Sequence, residues 1–507
     1  MEMKELLEMG KEISLLGKFM TLASWDMETE TPEGGMAGLG EMMEYLSGMY
    51  YAKVTDSALK EGLEELSKQE LSVRDAAIVR KMKESFDRMA KIPQDEYMAY
   101  QAILSRSQNI WAKAKRENNY DLFKDTLKEI VYYEKKFAGY NQTTEKSLYD
   151  VMLNQFEKGF TTEKLDEFFG LLKAEIVPML KKIQESGIDY KKPYEGTIDS
   201  DVQEKYNKKL AEYIGFDLSR GVIKRSEHPF TTNLSSDDVR FTNHYYEDKL
   251  ESALFSTIHE GGHGMYEQGV AKELDHTAVA GGASMGVHES QSRFYENLIG
   301  RSKSFWVPIF SDLNQSYGLT MDLDEFMNYI NRAEASLIRT EADELTYPLH
   351  IMIRYEIEQM LFNDEITVDD LPKVWNEKVK EFLGIEVPTD AQGVLQDVHW
   401  SGGSFGYFPS YAIGSAIASQ IMFAMNKEFD VEALLLKGDL KPIGQYLDKH
   451  IHQYGAIYTT DELLNKMMGE SFNPKYYVDY LKDKYTKLYH LNIVVYGKEK
   501  NGISTLI

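Results

Sequence analysis

Cysteine is absent from all 507 residues, which removes a disulfide framework and any thiol chemistry from consideration. Proline is sparse, at 12 residues, and no Pro- or Ser-rich linker, internal repeat or low-complexity tract divides the chain. Positive charge is in deficit: 57 Lys and Arg stand against 82 Asp and Glu, a net charge of −25. Such a surface repels nucleic acid and anionic lipid, so neither is an expected partner. Any anionic group this chain binds must be met by local arginines. The longest apolar stretch, about Tyr411 to Met425, carries Ser and Gln and falls short of the roughly 20 residues a membrane span needs. The opening Met1-Glu-Met-Lys-Glu-Leu is charged and amphipathic, unlike a signal peptide. A soluble, cytoplasmic protein is expected.

What is present is mostly helical periodicity. Leu6, Leu7, Ile13, Leu16 and Met20 open a helix that the Pro- and Gly-bearing segment Ser24 to Gly35 is expected to break. A new helix is expected near Ala37, and others start at the capping residues Asp56, Ser72 and Asp121, with Pro93 between two of them. Tyr149–Glu157 and Thr161–Gln184 continue the pattern. Residues 220–247 alternate polar and β-branched apolar side chains, which predicts a small hairpin or sheet. Helices then resume, one of them carrying Ile338 to Leu345, where Arg339 and Asp343 at i,i+4 could form an intrahelical ion pair. Gly393 to Tyr411 reads as a flexible Gly- and aromatic-rich loop, and the tail after Asn492 as short and irregular. His450, His452 and His490 lie in surface-like helical contexts and suggest no function.

The chemistry centres on Thr257-Ile-His259-Glu260-Gly-Gly-His263-Gly-Met265. Two histidines four residues apart leave one face of a helix a turn apart, close enough to share a zinc ion. Glu260, beside the first ligand, can take a proton from an attacking water. Gly261, Gly262 and Gly264 disfavour a helix by about 1 kcal/mol each, so they point to close packing or substrate approach. A third ligand is required. A histidine later in the same motif would fall at Gly269, and Glu267 lies about 12 Å from His259 along a helix axis, too far to share the ion. The ligand must come from a second helix, where Glu289 in His288-Glu289-Ser290-Gln291 is preferred and Glu296 is the alternative.

Oxyanion donors can come from His399 and from Tyr407 or Tyr411, in a loop that Gly402, Gly403 and Gly406 would let fold over a substrate. Arg240 and Arg339 are the candidates to grip a substrate carboxylate. Arg293 and Arg354 have weaker claims, and His228 could line the substrate or cap a turn.

Together these motifs resemble the thermostable carboxypeptidase (carboxypeptidase Taq) family of zinc metallopeptidases. The resemblance rests on Ser24-Trp25-Asp26, Pro32-Glu33-Gly34-Gly35, His228-Pro229-Phe230, Asp238-Val239-Arg240-Phe241-Thr242, His259-Glu260-Gly-Gly-His263, His288-Glu289-Ser290-Gln291, Ile338-Arg339-Thr-Glu-Ala342-Asp343 and Gly393-Val-Leu-Gln396-Asp397-Val-His399-Trp400. It implies one large, mainly α metallopeptidase domain over residues 1–507, with a helical part at 1–190 and a catalytic part at 191–507. A deep groove and a small β element beside the metal helix go with it. It also implies zinc on His259, His263 and Glu289, with cobalt able to substitute, and Glu260 as general base. The implied activity is release of single residues from peptide C-termini, broad in preference and poor on proline, by a homodimer. It gives Arg240, Arg339 and His228 to the substrate-binding end of the groove. Rival readings are an oligopeptidase cutting internal bonds of short peptides, and a zinc-stabilised, non-catalytic peptide-binding protein. An aminopeptidase lacks its Gly-x-Met-Glu-Asn segment here.

Overall fold

The helical periodicity is realised along almost the whole chain. The computed structural model describes residues 1–491, so the tail after Asn492 lies outside it. Nine helices come first: α1 (Met3–Thr29), α2 (Met36–Val54), α3 (Ser57–Leu66), α4 (Val73–Ala90), α5 (Gln94–Arg116), α6 (Asp121–Asn141), α7 (Leu148–Phe156), α8 (Thr162–Ser186) and α9 (Ser200–Ile214). Asp56 and Ser72 cap α3 and α4 through their side chains, and Pro93 separates α4 from α5. Two details differ from the reading above. Helix α1 continues through Ser24 to Thr29, because Pro32 only blocks the chain after Glu30. Asp121 is the first residue of α6 and not its cap, which is Tyr120.

Three strands follow: β1 (Gly221–Arg225), β2 (Thr231–Ser235) and β3 (Asp238–Asn243). β2 and β3 form the expected hairpin, while β1 adds to the other edge of β3 in parallel, giving the order β1-β3-β2. The central strand is buried, and Asn243 at its end donates to the Ala253 carbonyl at 3.0 Å and the Thr257 hydroxyl at 2.8 Å. Thr257 donates in turn to Asn207 of α9 at 2.7 Å. This buried polar chain fixes the rotation of α10 (Leu250–Gly269), which carries the histidine pair.

Beyond it lie α11 (Met285–Arg293), α12 (Lys303–Trp306), α13 (Phe310–Tyr317), α14 (Leu323–Ile330), α15 (Tyr347–Phe362), α16 (Leu371–Leu383) and α17 (Pro409–Met425), with further helices after them. One apolar cluster runs from Tyr100 to Tyr489. A second joins Leu6, Leu63, Ile78 and Met82 of the first helices to Val270 and Leu274 just past α10, so the N-terminal helices are built onto the metal helix. No helix among the described residues is long and apolar enough to cross a membrane.

The segment around Arg339 is not α-helical. It is a single 3-10 turn, Arg339–Glu341, and Arg339 pairs with Asp397. Asp343 turns away and accepts from the backbone and hydroxyl of Thr346, opening α15. The loop from Gly393 to Tyr411 is also packed down where flexibility was expected. Gly403 and Gly406 have φ of 72° and 79°, and a Cβ on Gly406 would lie 2.9 Å from the Met152 backbone. His452, expected near the surface, is buried and bridges Asp448 to Gln291.

Candidate metal centre

His259 and His263 project from one face of α10, and Glu289 of α11 closes the third side. Glu289 Oε2 lies 3.8 Å from His259 Nε2 and 3.5 Å from His263 Nε2. One donor atom from each residue lies within 4.8 Å of the others. The approach of α11 depends on two glycines. A Cβ on Gly262 of α10 would sit 2.7 Å from the Gln291 carbonyl oxygen, and one on Gly414 of α17 would sit 2.6 Å from Glu289 Cβ and Cγ. Only hydrogen at both positions allows the carboxylate so close to the imidazoles.

The outer hydrogen bonds point the ring nitrogens. His259 Nδ1 donates to Glu296 Oε2 at 2.7 Å, which turns its Nε2 toward the centre. His263 Nδ1 donates to His288 Nδ1 at 2.6 Å, and His288 Nε2 donates to Glu267 Oε1 at 2.7 Å, with the same result for His263. Arg293 Nε takes Glu289 Oε1 at 2.6 Å and leaves Oε2 free. Burial alone would raise the Glu289 carboxyl, but Arg293 and the two imidazoles outweigh it and hold it well below the usual range. Burial pushes the His263 imidazole down to about 4, so it is neutral. Burial lowers the His259 imidazole, but the Glu289 and Glu296 carboxylates outweigh it and raise it. A divalent transition metal takes the place of such a proton, and a carboxylate with two inward-turned imidazole Nε2 atoms is a donor set that fits zinc.

Glu296, the alternative donor in the sequence analysis, accepts from His259 Nδ1 and so orients that imidazole. It lies on a π-helical turn, Phe294–Ile299, that continues α11. Glu296→Ala is expected to lower metal affinity by about 10–100-fold. Competition with a chelator measures it, and unchanged affinity would mean that packing alone orients His259.

Glu260 is buried and follows His259 directly. The Thr231 hydroxyl of β2 donates to its Oε2 at 2.6 Å, and burial raises its carboxyl against the opposing pull of His259 and Thr231. Beside this centre stands a second group. His399 Nε2 lies 3.1 Å from the Tyr411 hydroxyl, and the Tyr407 ring is 5.3 Å from that of Tyr411. Burial, with Arg339 nearby, holds the His399 imidazole down at about 3, so it is neutral. Burial pushes Tyr407 up to about 12 and raises Tyr411 as well, and the Glu289 charge adds to both. These three side chains line one wall of a cavity of about 310 Å³.

Arg339 joins the two groups. Its guanidinium is 5.0 Å from the Tyr411 ring and donates to the Tyr347 hydroxyl at 3.0 Å, while the Tyr347 ring packs 4.4 Å from Arg293. Arg240 stays apart. Thr231 pairs with Phe241 in the β2–β3 ladder and faces α10, so Arg240 points to the other face of the sheet. There it forms a two-pronged pair with Asp238 at 2.7 Å and sits 5.8 Å from the Trp25 ring. His228 is exposed in the loop before β2. Thr231, Glu267, His288 and Tyr347 were assigned no role in the sequence reading. Of these only His288, next to Glu289, carried a local signal.

The chain matches the family model described as carboxypeptidase Taq (M32) metallopeptidase over residues 5–485. It is similar to carboxypeptidase 1 of Bacillus subtilis (strain 168), with 39% identity over 498 residues, 96% of this chain and 99% of that relative. Thermostable carboxypeptidase 1 of Pyrococcus furiosus is 33% identical over 502 residues, covering 95% and 98%. The crystal structure of the M32 carboxypeptidase from Deinococcus radiodurans R1 superposes with a TM-score of 0.92 at 30% identity, covering 96% and 99%.

Proposed function

The chain belongs to the carboxypeptidase Taq (M32) metallopeptidase family and is a metallocarboxypeptidase, and from that premise we propose how its residues divide the work. The carrying observation is the convergence of His259 Nε2, His263 Nε2 and Glu289 Oε2, with the buried Glu260 carboxyl close enough to feel both His259 and Glu289. By this reading His259, His263 and Glu289 hold a zinc ion, for which cobalt can substitute. The ion would supply Lewis acidity toward the scissile carbonyl and the attacking water. Glu260 takes the proton of that water and returns it to the leaving amine, and its raised carboxyl suits both transfers. Thr231 holds the carboxylate in place for this. Tyr407 and the His399–Tyr411 pair, all carrying their protons near neutrality, donate to the oxyanion.

Arg339 binds the terminal carboxylate, which admits only the last peptide bond to the centre. Arg240, committed to Asp238 across the sheet, has the weaker claim, and His228 keeps a lining role. The family resemblance extends the proposal to one catalytic unit acting as a cytoplasmic homodimer, broad in side-chain preference and poor on proline.

Mass spectrometry on an N-terminally blocked peptide tests the reading. A ladder losing one C-terminal residue at a time is expected, and internal fragments would favour an oligopeptidase. Arg339→Ala is expected to raise KM for free-acid peptides by about 100-fold and to leave Ki for the corresponding amides unchanged. Equal effects on acid and amide would remove Arg339 from the carboxylate site.

A further inference from the structure

Two buried guanidinium groups share one carboxylate behind the aromatic wall of the cavity. Arg354 of α15 has no exposed side-chain surface. Its Nε donates to Asp397 Oδ2 at 2.6 Å, Nη1 to the His350 carbonyl at 2.7 Å and Nη2 to Gln396 Oε1 at 2.8 Å. Arg339 uses the other oxygen: its Nε donates to Asp397 Oδ1 at 3.0 Å, with Nη2 at 2.9 Å from the same atom. Both oxygens of Asp397 are thus taken, one by each arginine.

The charges do not balance. His350 and His399 are held down at about 3 by burial and neighbouring arginines, so they add none. Glu358, the other carboxyl that bears on Arg354, is raised to about 7 by burial and is already bonded to Trp400, Tyr149 and the Gly406 amide. Asp397 is the carboxylate bonded to both guanidinium groups, which leaves one positive charge without a direct partner in a largely buried region. A brace that served only stability would pair charges one to one, because an unpaired buried charge is costly. The surplus is accessible at one of the two arginines. Arg354 lies against Trp375 at 4.7 Å and Phe408 at 5.4 Å, on the inner side. Arg339 lies against Tyr411, which lines the cavity, and of its five N–H groups the Asp397 and Tyr347 contacts use three.

We propose that Arg354 is a positioning residue for substrate recognition: by holding Asp397 Oδ2 it keeps Asp397 from cancelling Arg339, so that a peptide's terminal carboxylate completes a cluster of two arginines and two carboxylates. This rests on the assignment of Arg339 to that carboxylate.

The test is a charge-balance set measured with a free-acid peptide and its amide. Arg354→Met is expected to raise KM for the acid about tenfold or more, with kcat nearly unchanged and Ki for the amide unmoved. The double variant Arg354→Met/Asp397→Asn restores the net charge, and recovery of most of the lost affinity is expected. A double variant as impaired as Arg354→Met, with both folded by circular dichroism, would overturn the proposal and leave a structural brace. If Arg354→Met does not fold, Arg354→Lys decides, since it keeps the charge: KM within about threefold of the parent supports the proposal, and a tenfold rise overturns it. Failure of Arg339→Ala to separate acid from amide would instead remove the underlying assignment.

Discussion

Glu260→Gln is expected to bind a full equivalent of metal and lose turnover by about 10³–10⁴-fold. The substitution is nearly isosteric, and Thr231 can still donate to the amide oxygen in place of Glu260 Oε2. Neither His259 nor His263 depends on Glu260 for its orientation, since Glu296 and His288 hold their Nδ1 atoms. What disappears is the basic oxygen. Metal analysis of the purified variant beside kcat/KM separates the possibilities. Near-normal turnover would take Glu260 out of the mechanism, and loss of metal would make it a part of the ion's electrostatic support.

Gly262→Ala is expected to damage the centre without touching any ligand. The added methyl would lie 2.7 Å from the Gln291 carbonyl oxygen and 2.8 Å from Ser292 Cα, both backbone atoms that cannot rotate aside. Helix α11 must retreat by several tenths of an ångström, and it carries Glu289. Overpacking of this kind costs roughly 1–3 kcal/mol of stability. A ligand displaced by a fraction of an ångström is expected to cost on the order of 100-fold in turnover. Thermal unfolding, metal affinity and kcat measured together check this. A fall in stability with metal affinity and kcat intact would show that the helix pair yields elsewhere. Gly261→Ala is a milder comparison, because its contact is the end of the Ile214 side chain, which can turn away.

The pair of convergent imidazoles was readable because its signal is local. A four-residue spacing on a helix places His259 and His263 on one face whatever the rest of the chain does. A carboxylate on a second helix was reached by excluding what α10 could supply, with Glu289 preferred over Glu296, and the family resemblance singled out Glu289. Arg339 shows the opposite case. The i,i+4 spacing to Asp343 is a sound reason to expect an ion pair, yet the segment is a 3-10 turn and Asp397, 58 residues away, is the partner. Hydrophobic periodicity carries no information about which distant carboxylate will be brought to a buried guanidinium.

Residue type and spacing by themselves determined the helical class, the β interlude before α10, the pair of imidazoles on one face and the carboxyl of Glu260 beside them, and called for a carboxylate from a second helix. Each follows from helix geometry or turn chemistry acting over a few residues. Only the tertiary structure decided which arginine faces the centre, since ladder register turns Arg240 to the far side of the sheet. It alone decided that Glu296, Glu267 and His288 hold the His259 and His263 rings, and that Gly262 and Gly414 mark contacts between helices. Such roles depend on long-range packing, where the chain neighbours in space are not its neighbours in sequence.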